Sequence, residues 1–85
     1  MNDLNSNREE GEKMTVNINE ILVKKAMFIK GLNLSDLSRE TEVGISYLSQ
    51  IVNGKKVPSP KLAKKIADAL EVEVEDIFEF ELKEA

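Results

Sequence analysis

Gly31, Gly44, the pair Asn53-Gly54 and the run Pro58-Ser59-Pro60 cut the middle of this chain into pieces of about a dozen residues or fewer. Glycine and proline are the strongest local breaks in regular backbone. Each piece between them carries apolar residues at helical spacing, so the chain can build short helices that bury one another and little else. Asn19 is placed to cap a first helix with Glu20 in its first turn. Ile21, Leu22, Ala26 and Ile29 supply its apolar stripe, widened by Val23, Met27 and Phe28, and Gly31 ends it. Asn33 caps a second helix, with Asp36 three residues on as a variant of the capping box. Leu34, Leu37 and Ser38 face inward, and this helix ends near Thr41.

A third helix runs from about Ile45 to Val52, with Leu48 and Ile51 one turn apart and pointing to the core. Asn53-Gly54 closes it with residues suited to left-handed backbone. Ser59-Pro60 reads as cap plus proline in the first helical position of a fourth helix. Leu62, Ala63, Ile66, Ala67, Ala69 and Leu70 form its apolar face. A short fifth helix fits Glu73 to Phe78, with Val74, Ile77 and Phe78 packing back. Residues 15–18 and 78–82 alternate with period two and fit short strands at the two ends. The expected fold is a compact all-α domain of five helices, with a short N- or C-terminal strand possible. Residues 1–14 are polar and are expected to form a mobile arm, residues 15–78 the domain, and residues 79–85 a tail that is a strand or a dimer contact.

Chemistry narrows the function. The 85 residues include no Cys and no His, which removes disulfides, thiolate metal sites and the usual nucleophile–base pairs. No enzyme activity, metal or cofactor is therefore expected. No run of about 18 apolar residues and no signal-peptide core is present, so a soluble cytoplasmic protein without membrane association is expected. The net charge is −4, but it is unevenly spread. From Lys24 to Lys65 nine Lys and Arg stand against three acids, a local +6. Such a basic middle between acidic ends points to an anionic partner, although a lysine run taken alone is an ordinary solvated face.

The second and third helices, joined by Glu42-Val43-Gly44, have helix-turn-helix spacing. The second member must be held by the first while one face stays free for the major groove. Leu48 and Ile51 hold it. Ile45, Ser46, Ser49 and Gln50 lie on the other faces, and no Asp or Glu occurs from Gly44 to Gly54.

The stretch Gly31–Val74 resembles the Cro/phage-repressor, or XRE-type, helix-turn-helix family. The resemblance rests on Gly31-Leu32-Asn33, Leu37-Ser38, Val43, Leu48 with Ile51, Asn53-Gly54-Lys55, Pro58-Ser59, Ala67-x-Ala69-Leu70 and Val72, in register without a gap. It implies a lambda-repressor-like fold and a dimeric, sequence-specific transcriptional regulator, usually a repressor, on a palindromic double-stranded operator. By that resemblance Ile45, Ser46 and Gln50 fall at base-contacting positions, with Gly44 and Ser49 beside them. A Gln amide can exchange two hydrogen bonds with adenine, Ser can serve either base type and Ile can cover a thymine methyl. As a plain exposed helix residue Gln50 would do none of this.

Phosphate contacts are expected from the helix start at Asn33 and from Asn53, Lys55, Lys56 and Lys61. Tyr47 either reaches a phosphate or packs as a half-buried aromatic. Val74, Ile77, Phe78, Phe80 and Leu82 form a candidate dimer surface; the alternative is that they complete the monomer core, with Phe80 pairing against Val16. The competing function is a protein-interaction module, or an antitoxin-type protein that binds a protein partner through the same fold.

Three departures from the family stand out. Leu34 replaces a phosphate-contacting Gln, and Glu42 replaces a Gly at the turn. Met27 and Val52 stand where members commonly bury an Arg against a Glu. Both charges are missing together, so neither leaves an unpaired ion.

Overall fold

The computed structural model describes residues 12–84. The elements run β1 (Glu12–Ile18), α1 (Glu20–Lys30), α2 (Leu34–Thr41), α3 (Ile45–Val52), α4 (Pro60–Leu70), α5 (Val74–Ile77) and β2 (Phe78–Glu84). Local chemistry sets most of the boundaries. The side-chain oxygens of Asn19, Asn33 and Ser59 accept from the backbone N–H groups of Leu22, Asp36 and Leu62, capping α1, α2 and α4. Gly31 ends α1 in the left-handed conformation at φ 71°. Among the described residues no helix is long and apolar enough to cross a membrane.

The core gathers one face from each helix. Val23, Leu37, Leu48, Ile51, Ile66, Leu70, Ile77 and Phe78 are all buried. Burying a side chain of this size is worth about 1.5–3 kcal/mol, so α3 is anchored chiefly through Leu48 and Ile51. Val52 is buried as well, and Met27 packs at the margin of the cluster. Both positions are thus apolar and packed in the core or against it, and neither buries a charge.

β1 and β2 join the two ends of the chain as an antiparallel ribbon with Met14↔Leu82, Val16↔Phe80 and Ile18↔Phe78 as partners. The pairing of Phe80 with Val16 is the register expected for a chain whose ends complete the monomer. β1 begins at Glu12, so residues 12–14 are strand where an arm was expected; the rest of that arm lies outside the described residues. Residues 79–84 belong to β2.

The orientation of α1 differs from the sequence expectation. Val23 is its buried residue, with Ala26 and Met27 partly buried beside it. Ile21, Phe28 and Ile29, expected inside, are outside at 78%, 87% and 70% exposure. Because α1 carries apolar residues all round, periodicity alone does not say which side packs.

Candidate nucleic-acid interface

The turn between α2 and α3 is held by its own backbone and by one serine. Glu42 ends α2 at φ 62°, and its N–H reaches the carbonyl of Ser38. Val43 N–H donates to the same carbonyl at 3.2 Å, and the Ser38 hydroxyl donates back to the Val43 carbonyl. Thr41, buried beneath the turn, donates to the Leu37 carbonyl at 2.7 Å. These bonds fix the angle at which α3 leaves α2.

On α3, Leu48, Ile51 and Val52 are buried, while Ile45, Ser46, Tyr47 and Gln50 are exposed and Ser49 is half-buried. Gly44, just before the helix, is exposed too. Of the five residues expected to read bases, Gly44, Ile45, Ser46 and Gln50 are thus exposed at the start and along one side of α3, while Ser49 is half-buried with the Asn53 amide 3.4 Å from its hydroxyl. Tyr47 is 40% exposed.

Beyond α3 the chain turns sharply. Gly54 sits at φ 77°, and a Cβ there would come within 2.6 Å of the Glu20 carboxylate oxygen Oε2. The amides of Gly54, Lys55 and Lys56 all point inward, to the carbonyls of Ile51 and Gln50. This loop therefore offers an approaching phosphate its lysine side chains rather than its backbone. Asn53 is spent on structure. Its amide nitrogen donates to the Ser49 carbonyl at 3.0 Å, and its oxygen accepts from Lys24 Nζ at 3.1 Å. The side chain expected at a phosphate is thus a C-terminal cap for α3. The bond also brings Lys24 to the end of α3, a cation that sequence reasoning left out of the site.

Asn33 also has work inside the fold. Its side chain accepts from Asp36 N–H at 2.8 Å, and its own N–H donates to Asp36 Oδ2 at 3.0 Å. The Asp36 carboxylate, paired with Arg39 at 2.5 Å, occupies the positive end of α2. The Asn33 N–H bond, then the Arg39 guanidinium, hold this carboxyl below its ordinary value of 3.8. Leu34 packs against the core.

The positive charges divide into two sets. Lys30, Arg39, Lys64 and Lys65 pair with Glu71, Asp36, Asp68 and Glu42 respectively. Among the described residues Lys24, Lys25, Lys55, Lys56 and Lys61 have no acidic partner. Lys24, Lys55 and Lys56 follow or touch the end of α3, and Lys61 lies in the first turn of α4. On the candidate dimer surface, Ile77 and Phe78 are 1% and 2% exposed. They belong to the monomer core, which takes them out of any interface. Val74 is half-buried, and Phe80 and Leu82 are exposed.

Two short helices locked by a three-residue turn, the second one free on its polar side and edged by unpaired lysines, define a helix-turn-helix domain. The sequence profile of a helix-turn-helix family, HTH_3, matches residues 25–77. That is more than half of the chain, and the chain belongs to this XRE-type helix-turn-helix family.

Three solved structures are similar. The clp gene regulator ClgR from Corynebacterium glutamicum is 28% identical over 67% of this chain and 61% of its own, with a TM-score of 0.61. SinR, described as a master regulator for biofilm formation and seen in complex with DNA, is 31% identical over 67% of this chain and 92% of its own, TM-score 0.59. A SinR–SinI complex matches at 30% identity over 69% of this chain and 58% of that one, TM-score 0.63. The chain thus spans less than two thirds of the ClgR chain and of the chain matched in the SinR–SinI complex. No curated protein sequence matches. The family and these neighbours are transcription regulators, and SinR is seen with DNA; this chain shares their helix-turn-helix domain.

Proposed function

We propose that the chain is a homodimeric repressor that reads a palindromic operator with α3 in the major groove, one protomer per half-site. The observation that carries this reading is the free face of α3: Ile45, Ser46, Ser49 and Gln50 stand together without an acid, beside lysines that no carboxylate neutralises. In this role Gln50 reads adenine, Ser46 and Ile45 discriminate beside it, and Lys24, Lys55, Lys56 and Lys61 hold the phosphates. At the start of α2 the reciprocal cap uses the amides of Asn33 and Asp36, which leaves those of Leu34 and Ser35 for a phosphate. Repression follows from occupancy, since a dimer on two half-sites about 34 Å apart blocks the duplex beneath it. The acid-free recognition face favours this over a module that kept the fold only for a protein partner.

Selection of bound duplexes from a random library tests it. A palindromic consensus is expected. Gln50→Ala should cost about 1–3 kcal/mol at one base pair per half-site and relax the consensus there. Failure to enrich any sequence at low salt would overturn the assignment.

A further inference from the structure

The outward side of α1 is apolar. Ile21, Phe28 and Ile29 are mostly exposed, and Leu22 lies at their edge at 41%. Ile21 and Phe28 are seven residues apart, as are Leu22 and Ile29, so they form two rows along one side of the helix. A helix on a protein surface ordinarily turns charged and polar residues outward, and one that is apolar all round is normally buried. Isolated exposed apolar residues need no explanation, but four large ones on one helix face make a patch of the kind that binds something. Lys25 is the one charge inside the patch. It lies midway between Ile21 and Ile29 and has no ion-pair partner among the described residues.

We propose that this face of α1 docks an amphipathic helix of another protein, apolar along one side and carrying a carboxylate that meets Lys25. The charge selects the occupant. A second copy packing symmetrically across α1 would place the dyad near the middle of the helix and bring Lys25 against Lys25 of the partner. Like charges desolvated against each other disfavour that pairing, whereas an acid at the same place favours it. Size agrees. An 11-residue helix is about 16 Å long, too little for the roughly 800 Å² per partner of a standard interface but enough to seat one short helix. None of these residues belongs to α3 or to the ribbon, so docking and DNA binding are separable by substitution.

The test uses the full chain and two labelled synthetic helical peptides of about 14 residues. Both carry Leu at i, i+3, i+4 and i+7, with either Glu or Lys at the centre of the Leu face. Binding is read by fluorescence anisotropy and by amide chemical shifts along α1. The Glu peptide should bind roughly tenfold more tightly than the Lys peptide, and Lys25→Glu should reverse the order. Phe28→Ser with Ile29→Ser should abolish binding while the melting temperature and operator affinity stay unchanged, because both side chains are exposed. Three results would overturn the proposal. One is no binding of either peptide. Another is equal binding of both by the wild type and by Lys25→Glu. The third is an oligomer that Phe28→Ser disperses, which would give the face to a second copy.

Discussion

Glu42 shows what a single residue sustains at the tightest point of the site. It holds φ 62° and ψ 38°, a conformation that costs a side chain with a Cβ about 1–2 kcal/mol. Its pairing with Lys65 at 3.6 Å is largely exposed and returns little. Glu42→Gly removes the left-handed strain, and the greater freedom of Gly in the unfolded chain offsets part of the gain. The net expectation is a stabilisation of about 1 kcal/mol, read as a melting temperature higher by roughly 4–8 °C. Glu71 has a similar backbone, at φ 60°, but also pairs with Lys30 at 2.8 Å, so Glu71→Gly should gain less. A larger gain at Glu71 would contradict this account of the strain.

Asp36 gives a pH signature at the same scale. Its folded-state carboxyl titrates below its unfolded value, so its contribution is complete above the unfolded value and is lost as pH falls through the folded one. Thermal melts of the wild type should lose that contribution in acid. Asp36→Asn should lack it at neutral pH and show a flatter acid limb.

At the level of elements, α1 and α3 pack together, with Val52 in the core and Met27 partly buried against it. Val52 is 4% exposed, so Val52→Glu buries an ion with no partner and should cost about 3–5 kcal/mol in chemical denaturation. Adding Met27→Arg should recover a substantial part of that loss, and a double variant no more stable than the single one would show that the two positions do not meet. The same pair of helices shows what the sequence reveals. α2, its turn and α3 are legible because caps, breakers and the Leu48–Ile51 spacing agree, and the free face of α3 follows by subtraction. The facing of α1 is not legible, because Ile21, Leu22, Ala26 and Ile29 fit a stripe as well as Val23, Ala26 and Met27 do, and only packing chooses. Asn33 and Asn53 are ambiguous for another reason. A side chain that can reach a phosphate can equally cap a helix, and both caps form in the folded chain. The strands announce themselves by alternation, and the sequence offers Phe80 as a partner for Val16, but nothing local in residues 12–18 chooses it over a dimer contact.

The whole molecule measures 43 × 22 × 21 Å, and it has chemically different regions. The ribbon turns Met14, Val16 and Ile18 of β1 and Phe78, Phe80 and Leu82 of β2 to one face, as their register requires. Ile18 and Phe78 lie at the core end, Phe78 being buried, whereas Met14, Phe80 and Leu82 are 63%, 49% and 65% exposed. An apolar groove of about 230 Å³ runs beside them, lined by Met14, Val16, Pro58, Pro60, Ala63 and Phe80 among others. A two-stranded ribbon is marginal without something packed on its apolar face. In the dimer proposed for operator binding, a second copy would supply that cover and have its own ribbon covered in return, closing the assembly with two-fold symmetry. Phe80→Lys combined with Leu82→Lys should therefore yield a folded monomer by sedimentation equilibrium, since neither side chain is part of the core. Its affinity for a palindrome should fall to that for an isolated half-site, while the base preference within the half-site is retained because α3 is untouched. A variant that stays dimeric, or that binds the palindrome as tightly as the wild type, would move the dimer contact away from the ribbon.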